Sequence, residues 1–143
     1  MTAFRLGDFL PYRVVALGQA MGQGLARQYA DEFGLTIPEW RTLALIGQHE
    51  AITAARVVAE TPMDKATVSR AVASLAGRGL VERVPDEVDR RATRLQLSAG
   101  GQDVFAAVAD RALAYEAGMV SALTKAERAE FDRLLRKLSA AAG

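Results

Sequence analysis

Along most of the chain, apolar residues return every three or four positions, which is the period of one face of a helix. In the first such segment they run from Leu10 to Tyr29, with Asp8 as the expected N-cap and Gly34 as the expected end. Five further segments with this period each begin at a capping side chain, and these side chains are Thr36, Thr53, Asp64, Ser98 and Thr124. The pattern therefore predicts six helices.

Residues 80–97, LVERVPDEVDRRATRLQL, depart from this period. In TRLQL, residues 93–97, polar and apolar side chains alternate as in a half-buried β-strand, and LVERV is the expected partner strand. Of the six residues Asp86–Arg91 between them, five are charged and none is glycine, whereas a tight hairpin turn usually needs about two residues such as Asn-Gly. We therefore predict a two-stranded ribbon that presents Arg90 and Arg91 at its tip.

The third and fourth predicted helices are short and consecutive. The third begins at Ile52–Thr53, and the turn ETPM joins it to the fourth. This arrangement is typical of a helix-turn-helix, in which the second helix enters the major groove of DNA. Away from its apolar stripe, the fourth helix offers four candidates for DNA contacts, which are Lys65, Thr67, Ser69 and Arg70. Arg70 suits bidentate binding to a guanine, while Thr67 and Ser69 suit phosphate or mixed contacts.

The ribbon directly follows the fourth helix, so its tip is expected beside that helix and one groove away. A narrow minor groove concentrates negative potential and attracts an inserted arginine, which either Arg90 or Arg91 can provide. The neighbouring acids Asp86, Glu87 and Asp89 would repel phosphate if they were free. We therefore expect at least one of them, foremost Asp89, to pair with a neighbouring arginine and stabilise the tip.

Composition narrows the possible functions. The chain has 143 residues, of which 50% are hydrophobic and 24% charged, as in one globular domain with a sizeable core. It contains no cysteine, which excludes disulfides, thiolate zinc sites and thiol chemistry. With one histidine, no paired-carboxylate motif and no glycine-rich phosphate loop between a strand and a helix, it offers no plausible catalytic set. We predict a protein that is not an enzyme and uses no metal or cofactor.

The distribution of charge matters more than its total. The net charge is +1, but residues 64–94 carry seven Lys and Arg against five acids. This basic bias favours DNA as a partner but is mild, so a winged-helix module that binds protein without DNA is the alternative. No apolar segment approaches the roughly 18 residues of a membrane span, and the N-terminus shows no secretory signal, so we expect a cytoplasmic protein without a membrane partner.

Three stretches, LTIPEWRTLALI, MDKATVSRAVASLAGRGLVERV and DEVDRRATRLQLSAGG, resemble the MarR family of winged helix-turn-helix regulators in order and spacing over about residues 35–101. The resemblance implies a mainly α single domain, 1–143, with a winged helix-turn-helix at about 36–97 and dimerisation helices at about 6–33 and 98–141. It also implies a homodimer on a palindromic operator in double-stranded DNA, with transcription repressed until a small, often aromatic or anionic effector binds. Activation is the alternative to repression. Lys65, Thr67, Ser69 and Arg70 match the recognition helix of the family, and Asp89, Arg90 and Arg91 match its wing.

Four further residues are candidates for an effector pocket between the end helices and the DNA-binding part: Tyr12, Trp40, Arg41 and His49. Trp40 is also a natural core residue, because a buried indole contributes a large apolar surface. His49 stands at the end of the second helix, where capping or a surface position is the simpler interpretation.

Overall fold

The computed structural model describes residues 3–89 and 91–143, which form a mainly helical fold with a small antiparallel sheet. The elements in chain order are α1 (Leu10–Phe33), α2 (Ile37–Gly47), β1 (Ile52–Thr53), α3 (Ala54–Ala59), α4 (Lys65–Gly77), β2 (Val81–Pro85), β3 (Thr93–Leu97), α5 (Ala99–Val120) and α6 (Lys125–Ala142). The chain has two compact units, one reaching Arg111 and the other comprising Ala112–Gly143, so α5 contributes to both. No helix in the described part is both long and apolar enough to cross a membrane.

The helix boundaries follow local chemistry, with one correction. Gly34 ends α1 in the left-handed conformation (φ 62°), and its amide donates to the Ala30 carbonyl oxygen. The predicted N-cap Asp8 is wrong, because it lies in a short 3-10 turn, Leu6–Asp8, and Phe9 occupies the N-cap position without a side-chain cap. Pro11 explains why the helix tolerates this, since proline has no N–H and its fixed φ suits the first turn.

The sheet has three strands in the described residues, with order β1-β3-β2, and not the two that the sequence predicts. Ile52 and Thr53 do not begin a helix but pair antiparallel with Leu95 and Arg94 of β3. Two residues are too short for alternation to be visible in a sequence, so the strand escaped prediction. Thr53 also has the predicted capping role, because its hydroxyl accepts a hydrogen bond from the Arg56 amide at the start of α3 (3.2 Å).

The core of the larger unit surrounds α2. Leu43 and Ile46 on this helix are fully buried. The other buried apolar side chains of this core come from the helix-turn-helix, from all three strands and from α5, and include Ile52, Val57, Val68, Leu75, Val81, Leu95 and Val108. The apolar stripe predicted on α4 is confirmed as core. Since one face of α4 is fixed against α2, the opposite face is directed outward.

A close backbone contact joins the start of α5 to the start of β2. A Cβ atom added to Gly101 would lie only 2.0 Å from the Leu80 carbonyl oxygen, which also accepts a hydrogen bond from the Ser98 amide (3.1 Å). We expect Gly101→Ala to destabilise the fold by about 2 kcal/mol or more, because this contact is with backbone and must be relieved by separating α5 from β2. Urea unfolding measures this.

Gly100→Ala is the matched control for this substitution. The nearest atoms to a Cβ at Gly100 are 3.8 and 4.0 Å away, which is ordinary van der Waals distance. The control should therefore be neutral or slightly stabilising, because alanine favours helix by up to about 1 kcal/mol over glycine. Equal unfolding midpoints for the two variants would contradict the proposed close approach.

Candidate nucleic-acid interface

The start of the recognition helix α4 is held by Asp64. Its Oδ1 accepts a hydrogen bond from the Thr67 amide at 2.7 Å, which is the predicted N-cap. This bond, with the nearby positive charge of Arg70, holds the pKa of the Asp64 carboxyl below its usual value. Arg70 Nη2 in turn donates to Thr67 Oγ1 at 3.4 Å. The acid at the helix start is therefore charged at neutral pH and is partly neutralised by the groups around it.

The four candidates on α4 do not all share the same exposure. Lys65, Ser69 and Arg70 are exposed, and Thr67 is half-buried beneath the Arg70 guanidinium. The structure thus brings Thr67 and Arg70 into contact and leaves Lys65 and Ser69 open to a ligand. A helix with a buried apolar stripe and this open polar face fits the major groove of DNA, which is about 12 Å wide.

A buried carboxylate connects α4 to the start of α2. Glu39 is 8% exposed and forms a capping box with Thr36, the predicted N-cap of α2. Its second oxygen, Oε2, accepts a hydrogen bond from Ser74 Oγ on α4 at 2.6 Å. Burial raises the pKa of Glu39, but the hydrogen bonds from Ser74 and Thr36 outweigh this effect and leave the pKa below its usual value. The capping box is visible in the sequence, whereas Ser74 is 35 residues away and gives no local signal.

We expect Glu39→Gln to lower the free energy of unfolding by about 1 kcal/mol at pH 7, because charge-assisted hydrogen bonds become neutral ones. A carboxyl whose pKa is depressed by folding contributes stability above its unfolded pKa and loses it as the pH falls through the folded pKa. The difference between wild type and variant should therefore be constant near neutral pH and shrink once the pH falls below about 4.5. Urea titrations at a series of pH values measure this, and a difference that grows towards acid pH would contradict it.

The wing is formed by β2, β3 and residues 86–92 between them, and the residues of its tip that the structure describes are joined by hydrogen bonds. The Asp86 amide donates to the Ala92 carbonyl oxygen, and the Ala92 amide donates to that of Asp89. Asp86 Oδ1 accepts from the Val88 amide at 3.1 Å, and Asp89 Oδ1 accepts from the Arg91 amide at 3.0 Å. Two aspartates therefore fold the tip by binding its own backbone, which explains how it dispenses with glycine.

The expectation that at least one acid of the wing pairs with a neighbouring arginine is confirmed for Asp86, whose Oδ2 lies 3.6 Å from Arg94 Nε. For Asp89, the described partner is the backbone amide of Arg91. The bond from the Val88 amide lowers the pKa of Asp86, and the charge of Arg94 lowers it further. Arg91 is exposed at the tip, and Arg90 lies outside the described residues. That either arginine enters a minor groove stays a prediction.

The four pocket candidates do not line a common cavity among those described. Trp40 is 9% exposed and packs between the rings of Tyr29 and Phe105, with centroids 5.9 and 6.2 Å away, so it is a core residue. Tyr12 and Arg41 are exposed on α1 and α2. His49 lines two cavities of about 510 Å³ each, beside the wing and beside the start of α5, and neither is lined by the other three candidates.

His49 also has a partner of its own. Its Nε2 lies 3.2 Å from Glu60 Oε2, and the other oxygen of Glu60 accepts a hydrogen bond from Arg56 at 2.8 Å. The hydrogen bonds from Arg56 and His49 hold the pKa of Glu60 below its usual value. This cluster links the end of α2 to α3, which gives the histidine a structural contact as well as its position at the two cavities.

Each unit carries apolar side chains that it leaves exposed. Eight lie in the first 17 residues and are 46–73% exposed: Phe4, Leu6, Phe9, Leu10, Tyr12, Val14, Val15 and Leu17. The smaller unit has a comparable row on α6, 39–49% exposed: Phe131, Leu134, Leu135 and Leu138. Contiguous apolar surfaces of this kind mark sites of association with another molecule.

Comparison with known proteins agrees with this architecture. A sequence model of the MarR family matches residues 33–92, which span α2, the helix-turn-helix and most of the wing. The transcriptional regulator HosA of Escherichia coli O127:H6 is 28% identical over 122 residues, which cover 85% of this chain and 90% of HosA. The chain is therefore similar to MarR family regulators over this segment. The matched segment includes all seven candidate DNA contacts, from Lys65 to Arg91.

Solved MarR-type structures superpose over nearly the whole chain. The PcaV regulator of Streptomyces coelicolor, solved with its natural ligand, gives a TM-score of 0.82 at 25% identity and covers all of both chains. The MarR family regulator SPO1453 of Silicibacter pomeroyi gives 0.81 at 26% identity and covers 99% of this chain and 100% of its own. A mutant MarR of Escherichia coli, solved in complex with operator DNA, shares the fold at 22% identity, with a TM-score of 0.82 over 95% of this chain and 99% of its own.

Proposed function

We propose that this protein is a homodimeric, sequence-specific DNA-binding transcriptional regulator in which each protomer binds one half of a palindromic operator. The observation that carries the proposal is that α4 and the wing are packed on one core. Helix α4 has an open polar face with Lys65, Ser69 and Arg70, and the wing has an exposed Arg91 at its tip. These are the two parts that a winged helix uses in adjacent grooves of DNA.

The acidic residues between positions 64 and 94 are compatible with DNA binding. Asp64, Asp86 and Asp89 each accept hydrogen bonds from backbone amides, whose partial positive charges offset the carboxylates. Glu82 accepts a hydrogen bond from Gln96. These acids therefore repel DNA phosphates less than their number suggests, while Lys65, Arg70 and Arg91 keep exposed positive charges.

The exposed apolar rows support the homodimer. They lie in the segments that a MarR family dimer would use, namely the N-terminal residues with α1 and the C-terminal α6. Burial of such a surface is worth about 25 cal/mol for each Å² removed from water, so exposing it in a monomer would be costly. A two-fold axis would then set the two recognition helices about 34 Å apart, which is one turn of DNA.

A small effector is part of the proposal. PcaV, which the chain resembles over its whole length, was solved with its natural ligand. A ligand that binds one arrangement of the dimer better than another would shift the population between DNA-binding and released states. We propose a repressor that a small aromatic or anionic molecule releases, with Tyr12, Arg41 and His49 as the candidate residues of the chain that remain accessible to it.

In vitro selection from a pool of randomised duplexes tests the function. The wild-type protein should enrich a palindrome whose half-site centres are about one helical turn apart, and binding should weaken steeply with salt, as expected for roughly 6–10 phosphate contacts. The control is the same selection with serum albumin. Failure to enrich any duplex would contradict the proposal and favour a winged-helix module that binds protein.

A further inference from the structure

The C-terminus of α1 is bound by an arginine from the recognition helix. Arg78, the C-cap of α4, donates from Nη2 to the Phe33 carbonyl oxygen at 2.5 Å and from Nη1 to the Gly34 carbonyl oxygen at 3.3 Å. These carbonyls are at the end of a 24-residue helix, where the groups lack intrahelical partners and carry partial negative charge. Within residues 3–89 and 91–143, both hydrogen bonds that join the end of α4 to the end of α1 come from Arg78.

A second bond connects α4 to the same region one turn earlier. Ser74 donates to Glu39, whose other oxygen belongs to the capping box at the start of α2. Residues 33–39, which we call the α1–α2 junction, are thus attached to the recognition helix at both ends. Leu35 inside the junction is only 3% exposed, which limits independent movement of this segment.

The other side of the junction is attached to α5. Arg111 donates to the Gln28 carbonyl oxygen at 3.0 Å, forms an ion pair with Glu32 and places its guanidinium carbon 5.0 Å from the centre of the Phe33 ring. Phe33 therefore receives an arginine from α5 on its ring and an arginine from α4 on its carbonyl oxygen. This residue directly connects a proposed dimerisation helix with the recognition helix.

We infer that Arg78 is a positioning residue that fixes the recognition helix relative to α1 and thereby determines which half-site spacing the dimer accepts. The inference rests on the proposed function, since it requires a dimer on a palindrome. One extra base pair moves a half-site by about 3.4 Å and rotates it by about 35°, so rejecting it requires a rigid connection between dimerisation and recognition helices. Two hydrogen bonds from a planar guanidinium fix an angle as well as a distance, which a lysine cannot do.

The experiment uses the palindrome that wild-type protein selects, together with the same duplex lengthened or shortened by one central base pair. Dissociation constants are measured by fluorescence polarisation at fixed salt. We expect wild type to prefer the selected spacing, and Arg78→Ala to reduce this preference at least about fivefold, because binding to the selected spacing weakens while binding to shifted spacings changes little. Ser74→Ala should reduce the preference by a smaller factor.

Arg27→Ala is the matched control, since it removes an exposed arginine from α1 for which the described residues give no hydrogen bond or ion pair. It should leave the spacing preference unchanged. Light scattering checks that each variant is a dimer. If Arg78→Ala does not fold, Arg78→Lys and Ser74→Ala test the inference instead. Each removes part of the connection between α4 and the α1–α2 junction, so each should reduce the preference for the selected spacing.

The possible failures are distinguishable. If folded, dimeric Arg78→Ala keeps the wild-type ratio between selected and shifted duplexes, the positioning role is overturned while DNA binding stands. A uniform loss of affinity at all spacings also overturns it, because that result describes a merely structural residue. If wild type selects no duplex, the proposed function itself has failed.

Discussion

Replacing Arg90 and Arg91 together by alanine is expected to weaken operator binding at least about tenfold while the dimer persists. The variant removes four arginines from each dimer, and Arg91 is exposed at the wing tip beyond β2 and β3. An arginine in a narrow minor groove neutralises concentrated phosphate potential, so its loss should also reduce the salt dependence. Polarisation titrations at several salt concentrations measure both quantities.

The matched control for the wing is the double variant Arg90→Lys, Arg91→Lys, which keeps the charges but not the planar guanidinium. It should retain most of the salt dependence and lose less affinity than the alanine pair. Light scattering establishes that both variants are dimeric. If affinity and salt dependence are unchanged in the alanine pair, the wing has no role in binding DNA.

Leu134→Asp combined with Leu138→Asp is expected to convert the protein to a monomer and reduce operator affinity about a hundredfold or more. The two leucines are four residues apart on one face of α6 and are 40% and 49% exposed. In a dimer interface, buried carboxylates without partners would be strongly unfavourable. A monomer also loses the gain from holding two half-sites at once, which accounts for the large effect on DNA binding. Light scattering and polarisation measure the two losses.

Arg133→Asp with Lys137→Asp is the matched control for this prediction. It introduces the same number of aspartates at the same spacing on α6, at exposed positions outside the leucine row. The control also removes two cations near the helix end, one of which pairs with Glu130, so its cost to the helix itself is at least as large as that of the leucine variant. The control should be dimeric. If the leucine variant is also dimeric, α6 does not contribute the interface.

Sequence patterns predicted well the features that depend on neighbouring residues. Asp64 and Thr124 cap their helices as expected, because a capping bond spans only three residues and its partner is a backbone amide that is always present. The buried stripe of α4 followed from helical period, as did the two longer strands from alternation. These signals need no knowledge of the remainder of the fold.

The features that were missed depend on residues far apart in the chain. β1 is defined by its pairing with β3, more than 40 residues later, and not by its own composition. The attachment of Arg78 to Phe33 spans 45 residues, and nothing around either one indicates the other. For the same reason, Trp40 could be a core or a pocket residue until its neighbours Tyr29 and Phe105 were located.

The central place of β3 has a consequence for engineering. This strand is paired on both sides, with β1 and with β2, while the described residues of the loop, 86–89 and 91–92, are bonded to one another and to Arg94. The strands therefore hold the two ends of this loop in place independently of the sequence of the loop. Loops of equal length from other regulators could be transplanted between Pro85 and Thr93, giving hybrid proteins with altered operator preference and unchanged folding.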